Sequence, residues 1–216
     1  MRRSTRSGTA WPVILVFILV LLPPGLTFDI AQRYRVLPND LAAPFAVLEA
    51  IIITTYLVAV ARGNDKLQRI TLTAFCASGV ASALGGLGFL IGMLVDARAL
   101  EAQRLLASAM YTWSSNTLFF ALIYWGIDGG GPAGRAVNAR PRDFVFPEMQ
   151  LTPDAVFLPT FMDYVYLAFS TSTAFSATDT LTASSRVRVL LIAQAAIALG
   201  TVAIVAARAV NIFPSG

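Results

Sequence analysis

The sequence predicts an all-α fold, a polytopic transmembrane helical bundle of about six spans with both termini in the cytoplasm. Of its 216 residues, 56% are hydrophobic and only 13% are charged, and the mean hydropathy is +0.69. This apolar content exceeds what the core of a soluble domain can bury. The apolar residues also occur in stretches close to the roughly 20 residues that one helical crossing needs. Helices are predicted because the edge of an open sheet leaves backbone groups unsatisfied in lipid.

Six apolar segments are the predicted spans of a single membrane domain over 1–216. They cover about 11–28, 41–61, 70–95, 105–125, 156–177 and 187–210. The first segment follows a basic N-terminal stretch, a pattern that a retained anchor shares with a cleaved signal peptide. A retained anchor is favoured because no small-x-small cleavage site follows. The fourth segment ends in Tyr124 and Trp125, which are typical of a membrane interface.

Residues 126–155 form the one long loop of this prediction, rich in glycine and proline. With six crossings, ten of the sixteen Lys and Arg residues fall on the side of the N-terminus and six on the other side. This excess places the long loop in the cytoplasm. Its segment Asp128–Gly134 lacks the Lys-Ser/Thr of a phosphate-binding loop and is expected to be a flexible connector. Because the basic residues are spread singly, nucleic acid is not an expected partner.

The sequence contains no histidine and a single cysteine, Cys76. Histidine acid–base catalysis, a Ser-His pair and His-ligated metal or haem sites all require residues that this chain lacks. An iron–sulfur or zinc site would need more than one thiol. We therefore expect no enzyme activity, no cofactor and no metal centre.

Hydroxyl-bearing residues are concentrated in YLAFSTSTAFSATDT, residues 166–180. Their hydroxyls can bond to backbone carbonyls or to a neighbouring helix and so support packing. Alternatively, they line a polar cavity that holds a small cation or polar solute, together with acids and an amide from other segments. The residues of this candidate site are Glu49, Ser170, Thr171, Thr173, Ser176, Thr178, Asp179 and Gln194.

Glu49 is the sharpest single candidate. It lies within about 3 Å of the centre of the second span, at 1.5 Å of rise per residue. An ionised acid alone at that depth costs at least about 3 kcal/mol, so the carboxyl should be protonated, paired or hydrated. A neutral Glu bonded to a Ser or Thr of the next helix and a proton or cation site are both consistent with this position.

Small residues recur at helical spacing in the third and last spans, where they would let helices approach closely. These helix-packing candidates are Ser82, Gly86, Gly88, Gly92, Ala196, Gly200 and Ala203. Packing within one chain and formation of a homo-oligomer use the same chemistry, and both remain open.

The hydroxyl run and the helix after it resemble the pore module of potassium channels, in which a pore helix, a Thr-rich turn, a filter and an acid precede an inner helix. The resemblance would align residues 173–179 with the filter. A potassium filter needs glycines in the left-handed conformation, and this chain has none from Tyr166 to Thr182. A filter of backbone carbonyls is therefore not predicted.

The part of the chain from Asp143 onward resembles a family of bacterial multi-pass membrane proteins known only as a domain of unknown function. The matching motifs are DFVFP at 143–147, FMDYVYLAFS at 161–170, ATDT at 177–180, Arg186 and AVNI at 209–212. The resemblance implies a helical fold in the bacterial inner membrane, and it brings no activity. The expected partners are the lipid bilayer, a second copy of the chain and a small cation. The expected function is passage or sensing of that cation, and the alternative is a structural or partner-binding membrane module without transport.

Overall fold

The computed structural model describes residues 10–16, 18, 39–95, 102–136, 141–151, 157–173 and 179–212. These residues are mostly helical, in agreement with the all-α prediction. The chain divides into two compact units, residues 1–108 (unit 1) and residues 109–216 (unit 2). The prediction of one membrane domain stays a prediction.

Helical residues 10–16 (α1) are followed by α2 (Asn39–Arg62), α3 (Asp65–Val95), α4 (Ala102–Ile127), a 3-10 turn (Asp128–Gly130), α5 (Gly131–Ala136), β1 (Phe144–Val145), α6 (Pro147–Leu151), α7 (Phe161–Thr173), β2 (Leu181–Thr182) and α8 (Ser185–Ile212). Helices α2, α3, α4 and α8 cover four of the predicted spans. Among the described residues, the stretches Asp65–Gly92 and Ser185–Ala207 are long and apolar enough to cross a membrane.

Helices α2 and α3 form a hairpin around a two-residue turn. Gly63 adopts a φ of 68° and its N–H donates to the Val60 carbonyl at 3.2 Å. Glycine is favoured after a helix because it reaches this left-handed conformation without strain. The Asn64 side chain accepts a bond from the Leu67 N–H at 3.1 Å and so caps the start of α3. The short connection makes α2 and α3 antiparallel neighbours.

Helix α8 has one packed face and one exposed apolar face. The packed face carries Gln194, Ile197, Ala198, Thr201 and Ile204, all buried. The other face carries Val189, Ile192, Leu199 and Val202, each more than half exposed. An apolar stripe of this extent is unfavourable in water and is expected against lipid or another protein.

The small residues predicted to pack lie mostly away from the contacts that the structure describes. In α3, a side chain added at Gly88 or Gly92 would meet nothing within 4 Å, Ser82 is exposed and Gly86 is half-buried. In α8, Ala196 and Ala203 are exposed, and Gly200 is half-buried. Packing on α8 uses the face of Gln194 instead.

In unit 2, α7 and α8 run side by side in the same direction. Near their starts, Tyr164 of α7 bonds to Asp128 and Arg186 of α8 bonds to Asp143, while the Asp143 N–H donates to Asp128 at 2.7 Å. Eight residues further along each helix, Ser172 of α7 meets Gln194 of α8. Equal steps along both helices bring their residues together, which only parallel helices allow.

The chain returns between these two helices to the place where α7 began. Strand β2, after α7, pairs antiparallel with β1, before α7, with Phe144 opposite Thr182 and Val145 opposite Leu181. Helix α4 runs antiparallel to α7, because Trp113 contacts Ser172 and the later Trp125 lies against Phe161. Three helix segments and this small sheet therefore form the frame of unit 2.

Candidate functional site

Unit 1 contains a buried acid near the middle of α2. Glu49 is 4% exposed and its Oε1 lies 3.4 Å from the Ser78 hydroxyl of α3. The hairpin explains the pairing, since Glu49 precedes Gly63 by as many residues as Ser78 follows Asn64. The same hydroxyl lies 2.9 Å from the Phe75 carbonyl, so its one hydrogen is shared between two acceptors.

No cation pairs with Glu49 among the described residues, whose ion pairs lie in unit 2. Thr54 and Thr55, which follow Glu49 in α2, donate to the carbonyls of Ala50 and Ile51 at 2.7 Å in their own helix. A buried carboxyl with one long hydrogen bond is stable when it is protonated or when it binds a cation.

Two threonine hydroxyls of the run in α7 donate hydrogen bonds to the backbone of the same helix. Thr171 donates to the Leu167 carbonyl at 2.8 Å, and Thr173 donates to the Ser170 carbonyl at 2.9 Å. Ser170 itself is buried, whereas Asp179 is exposed ahead of β2. Ser176 and Thr178 lie outside the described residues. The hydroxyl groups of these threonines therefore have hydrogen-bond partners within one turn of their own helix, which is consistent with the packing interpretation.

Gln194 is the centre of a buried polar network in unit 2. Its Nε2 donates to the Ala168 carbonyl at 2.7 Å and to the Ser172 hydroxyl at 2.8 Å. Its Oε1 accepts a bond from the Tyr124 hydroxyl at 2.6 Å, and its backbone carbonyl accepts one from Asn116 Nδ2 at 3.2 Å. One side chain of α8 thus bonds to α4 and α7 together.

Ser172 is the second centre of this network. Its hydroxyl accepts a bond from Thr117 at 2.9 Å and its carbonyl accepts one from the Trp113 indole at 3.3 Å. Asn116 is fully buried, and its Oδ1 has no hydrogen-bond partner within the part of the chain that the structure describes. Within the described residues, the other buried side-chain oxygen and nitrogen atoms of the network each have a hydrogen-bond partner.

A second cluster in unit 2, the Asp128 cluster, ties together the end of α4 and the starts of β1 and α7. Asp128 is fully buried. Its Oδ1 accepts bonds from the N–H groups of Asp143 and Phe144 at 2.7 and 3.2 Å. Its Oδ2 accepts bonds from the Tyr164 hydroxyl at 2.6 Å and from Arg142 at 3.5 Å. These four donors compensate the burial of the carboxylate.

Arg135 completes the Asp128 cluster from α5. Its Nη1 donates to the carbonyls of Trp125 and Asp128 at 2.6 and 3.0 Å, and its guanidinium lies over the rings of Trp125 and Tyr164. Burial lowers the pKa of Arg135, and the neighbouring charge of Asp128 opposes that shift. Carbonyl and ring contacts of this kind suit a planar guanidinium and not an ammonium group.

Asp143 and Arg186 connect the cluster to α8. Arg186 donates from Nε to Oδ1 at 3.0 Å and from Nη2 to Oδ2 at 2.5 Å, in a two-bond geometry. Burial acts to raise the pKa of Asp143, but several opposing interactions, of which the hydrogen bond from Arg186 is the largest, together outweigh it, and the net pKa lies below the ordinary value.

The segment Asp128–Gly134 needs glycine at several positions, either because φ is positive or because another part of the backbone lies too close for a side chain. Gly129 and Gly131 have φ values of 56° and 83°, where other residues are strained. A Cβ at Gly134 would lie 2.6 Å from the Gly129 carbonyl oxygen. This segment is therefore an ordered turn around Asp128, and the flexible connector expected from its composition is wrong. An acid directly before a glycine triplet was the available signal.

Glu49 belongs to unit 1 with Ser78, and Gln194 belongs to unit 2. The prediction that Glu49 and Gln194 share one site stays a prediction. Sequence analysis missed five members of the Gln194 network and did not name Ser78 as the partner of Glu49. The missed network members are Trp113, Asn116, Thr117, Tyr124 and Ser172. An Asn within an apolar segment was a readable signal, but the partners depended on helix directions that composition does not contain.

The chain matches no family model, no curated protein and no solved structure. Within the described residues, no group of three or more His, Cys, Asp or Glu side chains is placed to hold a metal ion. The candidate sites therefore rest on the geometry given above.

Proposed function

We propose that this chain is a multi-pass protein of the bacterial inner membrane. Three features support the proposal: its composition, the two helices of spanning length, and the exposed apolar face of α8. Exposure of such a face to water raises the free energy of the protein. Contact with lipid chains removes this cost without any further partner.

Within that membrane protein, we propose that Glu49 and Ser78 form a site for the passage or sensing of a small cation. The observation that carries the proposal is the near-complete burial of Glu49 with one 3.4 Å hydrogen bond and no paired cation among the described residues. An acid in this state can exchange between a protonated form and a cation-bound form. Structural acids usually carry more partners, as Asp128 does with its four donors.

The Gln194 network supports packing and not a pathway. Its carboxamide uses each polar atom on a neighbouring helix, and the threonines beside it bond to their own backbone. A path for ions needs groups that can exchange protein partners for solute, and these groups are already paired. The cation proposal is therefore confined to unit 1.

The experiment is ion flux into proteoliposomes of the purified full chain under K⁺, Na⁺ and H⁺ gradients. Glu49→Gln keeps the shape and the Ser78 contact but cannot exchange a proton or a charge, so flux should be lost. Asp65→Asn, which removes an exposed acid from the same unit, is the matched control and should retain flux. Absence of flux in folded parent protein, or equal flux in parent and Glu49→Gln, would contradict the proposal.

A second candidate is a structural or partner-binding membrane module that forms a homo-oligomer without transport. The open space at Gly88 and Gly92 favours it, because small residues facing away from their own chain offer a close approach to a second helix. Gly88→Leu and Gly200→Leu should then abolish co-purification of two differently tagged copies. Val202→Leu, on the exposed face of α8, should leave co-purification unchanged.

A further inference from the structure

We infer that α7 is a re-entrant helix, which enters the membrane from the side of the Gly/Pro loop and returns to that side before α8 crosses. The inference rests on the membrane part of the proposed function and is independent of cation passage. It replaces the predicted fifth span, 156–177, with a segment that does not cross.

The directions of the helices carry the first step. Consecutive transmembrane spans joined by a short link run antiparallel, since each begins on the side where the previous one ended. Helices α7 and α8 are joined by a short link and run parallel: Tyr164 and Arg186 meet in the Asp128 cluster, and Ser172 and Gln194 meet eight residues further on. If α8 crosses the membrane, α7 therefore cannot cross it as the preceding span.

The lengths of the helices carry the second step. Helix α7 has 13 residues and is about 20 Å long, shorter than the roughly 30 Å hydrocarbon core. Helix α8 has 28 residues and is about 42 Å long, which is enough to cross. Gln194 lies about 14 Å from the start of α8, near half the depth of the core, so α7 ends at about that level.

The link after α7 carries the third step. By Leu181 the chain pairs with β1, and the Ala183 N–H donates to the Asp143 carbonyl at 2.9 Å. Arg186 then bonds to the side chain of the same Asp143. The start of α7 and the chain from Leu181 onward are thus both bonded to the residues between Asp128 and Val145. We therefore place both on the same face of the membrane.

The distribution of positive charge supports the same arrangement. With α7 re-entrant and five crossings, Arg186 and Arg188 join the inner side and Arg208 moves to the outer side. The inner share of the sixteen Lys and Arg residues rises from ten to eleven. Orientation follows an excess of basic residues in cytoplasmic loops, so the re-entrant topology fits that rule better than six crossings do. It places the loop with Arg142 and the end of α8 on opposite faces.

The test is cysteine labelling of the full chain in sealed membrane vesicles of both orientations. Cys76→Ala removes the single native thiol. Single cysteines are then introduced as Leu151→Cys, Leu181→Cys and Ser215→Cys. Leu151 and Leu181 are 80% and 57% exposed, so these changes disturb little packing. A membrane-impermeant maleimide reports the face of each position, and size-exclusion profiles check that each variant is folded.

Re-entry predicts that positions 151 and 181 react from the same face and position 215 from the opposite face. A fully spanning 156–177 segment predicts that 151 and 215 share a face and that 181 reacts from the other, which would overturn the inference. Reaction of all three positions from one face would show that neither α7 nor α8 crosses the membrane, which would overturn the inference and remove α8 as support for the membrane proposal. Loss of ion flux has no part in this readout, so the cation proposal fails or stands separately.

Discussion

Removing the Tyr124 hydroxyl tests whether the Gln194 network holds α4, α7 and α8 together. Tyr124→Phe leaves Gln194 Oε1 buried without the donor that now lies 2.6 Å away. Hydrogen bonds between membrane helices average about 0.6 kcal/mol, and an unpaired buried polar group costs about 1–3 kcal/mol. We expect Tyr124→Phe to lower the free energy of unfolding by about 1–2 kcal/mol, because Gln194 is fully buried and its amide oxygen would be left without a donor.

Gln194→Leu keeps much of the side-chain volume and loses three side-chain hydrogen bonds. It also strands the Tyr124 hydroxyl, so we expect a cost of about 2–3 kcal/mol. In the double variant neither side of the Tyr124–Gln194 bond remains polar, and nothing is stranded there. Its cost should fall short of the sum of the single costs by about 1 kcal/mol, which is the coupling between the two side chains.

The assay is unfolding of the detergent-solubilised full chain with increasing SDS fraction, followed by far-UV circular dichroism. Thr201→Val is the control, because Thr201 is buried in the same helix and its hydroxyl donates to the Ile197 carbonyl of that helix at 2.8 Å. Its change should stay within about 0.5 kcal/mol, since a bond within one turn of a helix does not join helices. Additive costs in the double variant, or a Tyr124→Phe protein as stable as the parent, would refute the reasoning.

Two further predictions concern the polar turn before β1. The low pKa of Asp143 stabilises the fold above about pH 4, the ordinary range of an Asp, and that contribution is lost as pH falls through the lowered pKa. The difference in Tm between the parent and Arg186→Gln should therefore be largest near neutral pH and vanish in acid, and a pH-independent difference would contradict it. Gly134→Ala should cost about 1–3 kcal/mol, because its Cβ would lie 2.6 Å from the Gly129 carbonyl oxygen. Gly88→Ala, in a helix with open space, should be neutral or stabilising by up to about 1 kcal/mol, and equal losses in these two variants would show that the close approach is not the cause.

Helices α2 and α3 could be predicted well because the length of their apolar segments defines them. Helix α2 begins two residues before the predicted second segment and ends one residue after it, and α3 ends where the third segment was predicted to end. The partner of Glu49 was also accessible, since a hairpin turning at Gly63 and Asn64 brings position 78 opposite position 49. The sequence therefore predicts contacts well where the two residues lie in one helix or in two helices joined by a short turn.

The Asp128 cluster and the Gln194 network could not be predicted because their partners are distant in sequence. Tyr164 follows Asp128 by 36 positions, and Gln194 follows Asn116 by 78. Nothing in an apolar segment indicates whether its neighbour runs parallel or antiparallel. The parallel pairing of α7 and α8 depends on two short strands that no hydropathy pattern would have predicted.

The distance along the chain between bonded residues also orders the folding of the two units. The Glu49–Ser78 contact closes a separation of 29 residues, so the α2–α3 hairpin can form while the ribosome is still extending the chain. Asn116 can bond to Gln194 only after 78 more residues have been made. Trp113 can bond to Ser172 only after 59 more. During synthesis the polar groups of α4 are therefore made before their partners exist. In the proposed membrane protein they would depend on water or on the insertion machinery until α8 is complete, which makes unit 2 more prone to misassembly than the α2–α3 hairpin.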